Sequence, residues 1–360
     1  MEKKQLVVIL KNPGTACNIG CVYCAEARKK YVSIQNKITF EQTEKLAELT
    51  KKYSLNVLFH GGEPTLLDCD YYLTLMDIFE AKNKDVFFGI QTNAVELNDK
   101  WFEFFKENEM RLGVSVSLDG PKSVNAFRLS KIGEETFDIV FNNVKKLGEK
   151  GIKTGMICTI VSTAIGQAQA LFEMLQKFDN LQFVKLNPCM DRNEDKSLPR
   201  WAVSPTEYFQ FVCDFFDILV RNSAWKNYYV EPIISVLKNI QGTNSSFCNY
   251  NIQKCHNFIS VYPDGTVTSC DNYNLEKGFL GMLDEINDIE EILYMQRNPV
   301  LSESYRKVLS KCNNCEIMQY CQGGCIAVRE RYADTKEYCM GMKKMIYHIK
   351  GVYDFINENY

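Results

Sequence analysis

The sequence predicts an α/β fold joined to a cysteine-rich C-terminal domain, and three observations carry that expectation. Over the first two-thirds of the 360 residues, short runs rich in Val, Ile, Phe and Leu alternate with amphipathic helical runs. The residues with unusual chemistry fall just after the β-type runs. Near residue 240 the alternation stops, and eight of the 15 cysteines crowd into the last third of the chain. These features divide the chain into residues 1–240 and 241–360.

In order, the strand candidates are Leu6–Leu10, Asn56–His60, Val86–Gln91, Leu112–Ser117, Thr154–Val161 and Phe183–Asn187. Between them, Phe40 to Tyr53, Tyr71 to Ala81, Asp99 to Asn108 and Gln169 to Phe178 carry helical patterns. Phe137, Val140, Phe141, Val144 and Leu147 recur at the i, i+3, i+4, i+7 spacing of one apolar helix face. Strand–helix alternation of this length reads as parallel βα units. Six units are too few to close an eight-stranded barrel, which leaves an open partial barrel or a doubly wound sheet. In both, chemistry belongs at the C-terminal ends of the strands. Cys17–Cys24 follows the first strand, Gly61-Gly62-Glu63-Pro64 the second, Gln91-Thr92-Asn93 the third and Ser117-Leu118-Asp119-Gly120 the fourth.

Beyond the polar stretch from Gln241 to Tyr250, Ile259–Tyr262, the turn Pro263-Asp264-Gly265 and Thr266–Thr268 read as a hairpin. Helical stretches come next, near Ile286–Gln296 and Leu301–Leu309. Cys339 to Asn359 reads as a closing helix, with Met345, Ile346, Ile349, Val352, Tyr353 and Ile356 along one side.

Composition excludes several classes. Apolar residues at 46% and charged residues at 24% argue against disorder. A net charge of -3 and a pI near 5.8 offer nothing to a nucleic-acid backbone or an anionic membrane surface. No apolar run approaches the roughly 18 residues of a membrane span, and Leu6–Leu10 is too short for a signal peptide core. The expected compartment is therefore the reducing cytoplasm. Fifteen cysteines are too sparse for a disulfide scaffold and too odd for complete pairing, which points to metal binding or catalysis.

Cys17, Cys21 and Cys24 are spaced C-x3-C-x2-C, with Gly20 in the loop. A tetrahedral zinc site needs four ligands, and the histidines, at 60, 256 and 348, lie far off in sequence. A four-iron cluster also takes four terminal ligands, so three cysteines leave one iron open. A structural zinc loop is the competing reading.

The triplet, placed after the first strand of a βα array, resembles the radical S-adenosylmethionine (SAM) superfamily, and the other motifs occur in that family's order. The resemblance implies a partial (β/α)6 TIM-like barrel. It implies that Gly61-Gly62-Glu63-Pro64 holds the amino group of the SAM methionine, with glycines permitting close backbone approach. Ser117 and Arg128 fall where relatives contact its carboxylate, Tyr23 where they pack the adenine, and Asn93 in their third-strand QTN. The implied chemistry belongs to the cofactor: reductive cleavage releases methionine and a 5′-deoxyadenosyl radical, which takes a hydrogen atom from an unactivated carbon.

In the tail, Cys255 and Cys270 enclose Gly265 five residues before the second. Cys312-x2-Cys315-x5-Cys321-x3-Cys325 comes next, and then Cys339. This spacing resembles the SPASM domain, the auxiliary-cluster module of many peptide-modifying radical SAM enzymes, and Cys248 adds an eighth thiol. The resemblance implies one auxiliary cluster on Cys248, Cys255, Cys270 and Cys325 and a second on Cys312, Cys315, Cys321 and Cys339, hence three [4Fe-4S] clusters in all. A pair of zinc ribbons is the alternative. Cys69, Cys158, Cys189 and Cys213 carry no motif and read as buried thiols.

The compact layout, with 16 residues ahead of the triplet and no room there for a peptide-recognition domain, resembles anaerobic sulfatase-maturating enzymes, which oxidise a peptidyl Cys or Ser to formylglycine. Their base follows the hairpin cysteine, and Asp271 keeps that place; burial beside a cluster is expected to raise its pKa. The maturases carry a tyrosine two positions after the triplet's third cysteine, and this chain has Glu26. That departure favours a crosslink, such as a thioether, in a ribosomally made peptide over formylglycine formation. An iron–sulfur electron-transfer or binding protein without SAM chemistry is the reading from another class. Asp271 and Glu26 are the catalytic candidates, and His60 joins Glu26 as a substrate-pocket candidate. The basic run Arg28-Lys29-Lys30 reads as a solvated loop. The implied partners are a peptide or protein substrate and an external electron donor such as flavodoxin or ferredoxin, with no nucleic acid and no membrane.

Overall fold

The structure is a computed structural model, and it describes residues 3–29, 37–225, 228–251, 256–273, 275–297, 306–307, 309–332 and 335–359. Cys255, Lys30 and most of the Leu301–Leu309 stretch lie outside the described residues. In chain order the strands are β1 (Gln5–Lys11), β2 (Ser54–His60), β3 (Val86–Thr92), β4 (Leu112–Ser117), β5 (Thr154–Ile160), β6 (Leu181–Pro188), β7 (Tyr229–Glu231), β8 (Phe258–Val261), β9 (Thr266–Thr268) and β10 (Phe279–Met282). Helices α1 (Phe40–Thr50), α2 (Cys69–Lys82), α3 (Asp99–Glu107), α4 (Phe137–Glu149), α5 (Ala168–Leu175) and α6 (Pro205–Arg221) each follow one of the first six strands, and α7 (Ile233–Ile240) follows β7. All six expected strands are present, and each of the five expected helices follows its strand; α6, after β6, is an addition to the expectation.

Two compact units divide the chain. The first takes residues 1–117, 128–154 and 256–299. In it β1, β2, β3 and β4 lie side by side and parallel, with Lys11 in register with His60. On the other side of β1 lies β8, also parallel, and then the antiparallel β9 and β10. The hairpin therefore shares a sheet with the first strand. Its turn closes through Tyr262 N–H donating to the Thr266 carbonyl at 2.9 Å, and Gly265 sits at φ +86°.

Burial follows position in the sheet. Strands β2 and β4 alternate, with Leu55, Val57 and Phe59, and Leu112, Val114 and Val116, turned inward. Between β8 and β2, β1 is buried almost continuously from Val8 to Lys11. Helix α1 begins with a reciprocal capping box between Thr39 and Gln42, and Asp68 and Asn98 cap α2 and α3.

The second unit takes residues 118–127, 155–255 and 300–360. Its strand order is β5-β6-β7, with β6 and β7 parallel. Helix α6, capped by Ser204 and Glu207 with Pro205 at its first position, packs along the closing helix Glu337–Asn359. Among the described residues, no helix is long and apolar enough to cross a membrane.

Candidate functional site

The loop after β1 and the loop after β2 are joined backbone to backbone. Gly62 N–H donates to the Gly14 carbonyl at 2.7 Å and Glu63 N–H to the Ala16 carbonyl at 2.8 Å. A Cβ at Gly62 would sit 1.7 Å from the Ala16 oxygen, and Gly61, at φ +135°, would bring one within 2.7 Å of the Gly14 oxygen. The glycines are thus demanded by the approach of the chain's own backbone.

Glu63 is buried in the joint. Its Oε1 accepts from Thr65 N–H (3.0 Å), Thr65 Oγ1 (2.8 Å) and Thr92 Oγ1 (2.7 Å), and its Oε2 accepts from Asn93 N–H at 2.7 Å. Burial raises its carboxyl above the ordinary value against these hydrogen bonds, which lower it. Asn93 Nδ2 donates to Asn18 Oδ1 at 2.7 Å and reaches Cys17 Sγ at 3.5 Å. The motifs of the first three strands thus form one hydrogen-bonded chain, in which Thr92 and Asn18 are participants the sequence did not single out.

Cys17, Cys21 and Cys24 are each partly exposed. Burial raises the Cys17 thiol, Ile19 N–H opposes that, and Glu63 and Cys24 add to the rise. Gly20 N–H donates to the Leu129 carbonyl at 2.7 Å, which pins the triplet loop to the segment carrying Arg128. Arg128 is buried, and its Nη1 donates to Tyr23 Oη at 3.0 Å. Ser117 ends β4 half-buried, with no side-chain hydrogen bond among the described residues.

A second cluster lies where β1 and β2 end. Lys11 Nζ, fully buried, contacts Asp271 Oδ1 at 2.6 Å, Glu26 Oε1 at 3.0 Å and His60 Nδ1 at 3.0 Å. Lys29 Nζ reaches the same two carboxylate oxygens, at 2.8 Å and 2.7 Å, and the Tyr262 hydroxyl at 3.1 Å. Because Lys11 donates, His60 Nδ1 accepts, which makes the ring the neutral Nε2–H tautomer. Burial and the neighbouring Lys11 push its pKa down to about 4. Two sequence expectations fail here. Lys29 is a buried ion-pair member rather than part of a solvated loop. Asp271 is not raised: burial alone would raise it, but Lys11, Lys29 and His60 outweigh burial and hold it well below the ordinary carboxylate range. Lys11 had one signal, a charge closing an otherwise apolar strand.

In the second unit, Arg329 gathers cysteines. Its Nη1 donates to Cys312 Sγ at 3.3 Å and to the Gly323 carbonyl at 2.5 Å, and its Nη2 reaches Cys339 Sγ at 3.8 Å. Cys321 is raised to about 11, first by burial and further by its neighbours Cys312 and Cys315. Cys248, also raised to about 11 by burial, feels Cys325 and Lys185 nearby. In the first unit, Cys270 Sγ accepts from Asn272 N–H at 3.5 Å. Cys69, Cys158, Cys189 and Cys213 are buried, and no disulfide forms among the described cysteines. Nor is any group of three or more His, Cys, Asp or Glu side chains among the described residues drawn in tightly enough for a single metal ion.

Comparison with known proteins gives a consistent picture. Residues 11–167 match the family model of the radical SAM superfamily. The chain is similar to the cysteine-type anaerobic sulfatase-maturating enzyme of Clostridium novyi (25% identity, 89% of this chain and 88% of that protein). It is also similar to the serine-type enzyme of Bacteroides thetaiotaomicron (24%, 99% and 92%). Among solved structures, native anSMEcpe with bound AdoMet superposes with a TM-score of 0.84 at 23% identity, covering 98% of this chain and all of that one, which shows a shared fold. The same protein with AdoMet and the Cp18Cys peptide gives 0.83.

Proposed function

Starting from a chain that carries a radical SAM domain and is a radical SAM enzyme close to anaerobic sulfatase-maturating enzymes, we propose that it binds SAM and oxidises a cysteine or serine side chain of a peptide or protein to formylglycine. The relatives that span about nine-tenths or more of the chain fit this reading better than the crosslinking that Glu26 suggested. Glu26 therefore marks a difference within the maturase scheme rather than a departure from it.

The residues fit the groups this reading requires. Three thiols share one loop, and His60, the histidine of this region, is already engaged by Lys11. Asn18 Nδ2, beside Cys17, is buried with no hydrogen-bond partner among the described residues. Cys17, Cys21 and Cys24 would hold a four-iron cluster with one open iron, and Tyr23, Gly61, Gly62, Glu63, Asn93, Ser117 and Arg128 would line the SAM pocket. Cluster and SAM together supply hydrogen-atom abstraction from an unactivated carbon. The Arg128 guanidinium offers the paired donors that suit a carboxylate. Oxidising a serine side chain to the aldehyde removes a hydrogen atom from Cβ, a proton from oxygen and one further electron. Asp271 is the carboxylate assigned to take the proton, with Glu26 beside it in the same lysine-bridged cluster. Cys248, Cys255, Cys270 and Cys325, and Cys312, Cys315, Cys321 and Cys339, would carry two auxiliary clusters, and an external protein would donate the electron that starts the reaction.

One observation carries the reading: Asp271 is tied through Lys11 to His60 and the strand ends that bear the cofactor motifs. The test is to incubate the reconstituted enzyme, SAM and a reductant with cysteine- and serine-containing sulfatase peptides and to trap product with a hydrazide. An aldehyde that forms with 5′-deoxyadenosine and is lost in Asp271→Asn is the expected outcome. A thioether without trappable aldehyde returns the crosslinking reading.

A further inference from the structure

At the ends of β1 and β2, one oxygen of each carboxylate is fixed by the chain itself. Glu26 Oε1 and Asp271 Oδ1 each take both lysines, at 2.6–3.0 Å, so neither carboxylate is free to turn. Asp271 Oδ2 is 3.8 Å from His60 Nδ1, on a side chain about a quarter exposed. Glu26 Oε2 differs. Its side chain is 9% exposed, and no donor among the described residues reaches that oxygen. A carboxylate oxygen shut away from water and left unmatched is costly unless a ligand satisfies it.

We propose that Glu26 Oε2 accepts a hydrogen bond from the hydroxyl of the side chain to be oxidised, so that this carboxylate selects serine over cysteine. The inference rests on the maturase reading above and narrows it. Charge decides the kind of donor. Two lysines, two carboxylates and a neutral His60 already balance, so an ammonium would add an unmatched charge, whereas a hydroxyl adds none. Donor strength decides between the two natural substrates, because O–H is a full donor and S–H a weak one. Glu26 and Lys29 lie on the triplet loop, Lys11 and His60 end the two strands, and Asp271 follows the β9 strand, so the cluster that holds this carboxylate is built on the same strand ends and loop that carry the cofactor motifs.

The test uses the reconstituted holoenzyme and two peptides identical except for Ser or Cys at the modified position. The quantity read is the ratio of their kcat/KM values for aldehyde formation. Measured on one preparation, that ratio cancels the folded and cluster-loaded fractions. Serine is expected to lead by roughly 10- to 100-fold, the worth of a hydrogen bond to a charged acceptor. Glu26→Gln is expected to bring the ratio near parity, mainly by raising KM for the serine peptide. Equal use of both peptides, a cysteine preference, or a serine preference that survives in Glu26→Gln overturns the inference and leaves the maturase reading standing. If neither peptide yields aldehyde, the maturase reading itself falls, and this inference with it.

Discussion

His60 gives the charged cluster its pH dependence. Its folded pKa of about 4 lies below the ordinary 6.5. Above 6.5 the ring is neutral in both folded and unfolded chains. Between 6.5 and about 4 only the unfolded chain takes up the proton, so stability falls as the pH drops through that window, and below about 4 the loss is complete. The span is worth on the order of 3 kcal/mol at most. Asp271, held low, acts in the same direction over a more acidic range: its stabilisation is present above its ordinary value of 3.8 and is lost as the pH falls below it. His60→Asn keeps an acceptor for Lys11 and removes the titration. Urea unfolding at pH 7 and pH 5 is expected to show a clear stability loss in the parent protein and a much smaller one in the variant. Residues of this kind are only partly legible in the sequence. The cysteine triplet and Gly61-Gly62-Glu63-Pro64 announce themselves through local spacing. The partners Lys11 and Lys29 do not, because their meaning comes from Asp271, more than 240 residues along the chain.

At the scale of elements, the six strands of the βα array are legible to within a few residues, because each is a compact apolar run bounded by polar turns. Strand β7, three residues long, is too short to show a period. Helix α6 is missing from the sequence expectations although its signals are present: Ser204, Pro205 and Glu207 at the start, and an inward face of Tyr208, Phe209, Val212, Phe215, Phe216 and Leu219. The glycine pair after β2 is legible as a motif, but its cause is not, because the Gly14–Ala16 backbone that presses on it belongs to another loop. This joint makes a sharp prediction. Gly62→Ala puts a methyl group 1.7 Å from a carbonyl oxygen that only backbone movement can relieve. A cost of about 3 kcal/mol or more is expected. At Gly20 the nearest atom to an added Cβ is 3.8 Å away, and Gly20→Ala is expected to stay within about 0.5 kcal/mol of the parent. Thermal unfolding of the two variants checks the contrast, and equal stability would mean the two loops are not joined as described.

For the molecule as a whole, the cysteines divide by role. Four are buried without a motif, three sit on the loop after β1, and the eight beyond residue 240 supply enough sulfur for two further clusters. Three four-iron clusters imply about twelve irons per chain after anaerobic reconstitution. Arg329 allows the assignment of one quartet to be tested without relying on turnover. Its guanidinium is buried and donates to Cys312 and Cys339, and hydrogen bonds and positive charge at ligand sulfurs favour the reduced, more negative state of a cluster. Arg329→Met is therefore expected to lower the reduction potential of one cluster in an EPR-monitored redox titration and to leave the others in place. Iron counting on the same sample shows whether the variant is fully loaded. If it holds about twelve irons and every potential is unchanged, Arg329 does not face a cluster, and Cys312, Cys315, Cys321 and Cys339 are not the quartet that holds one.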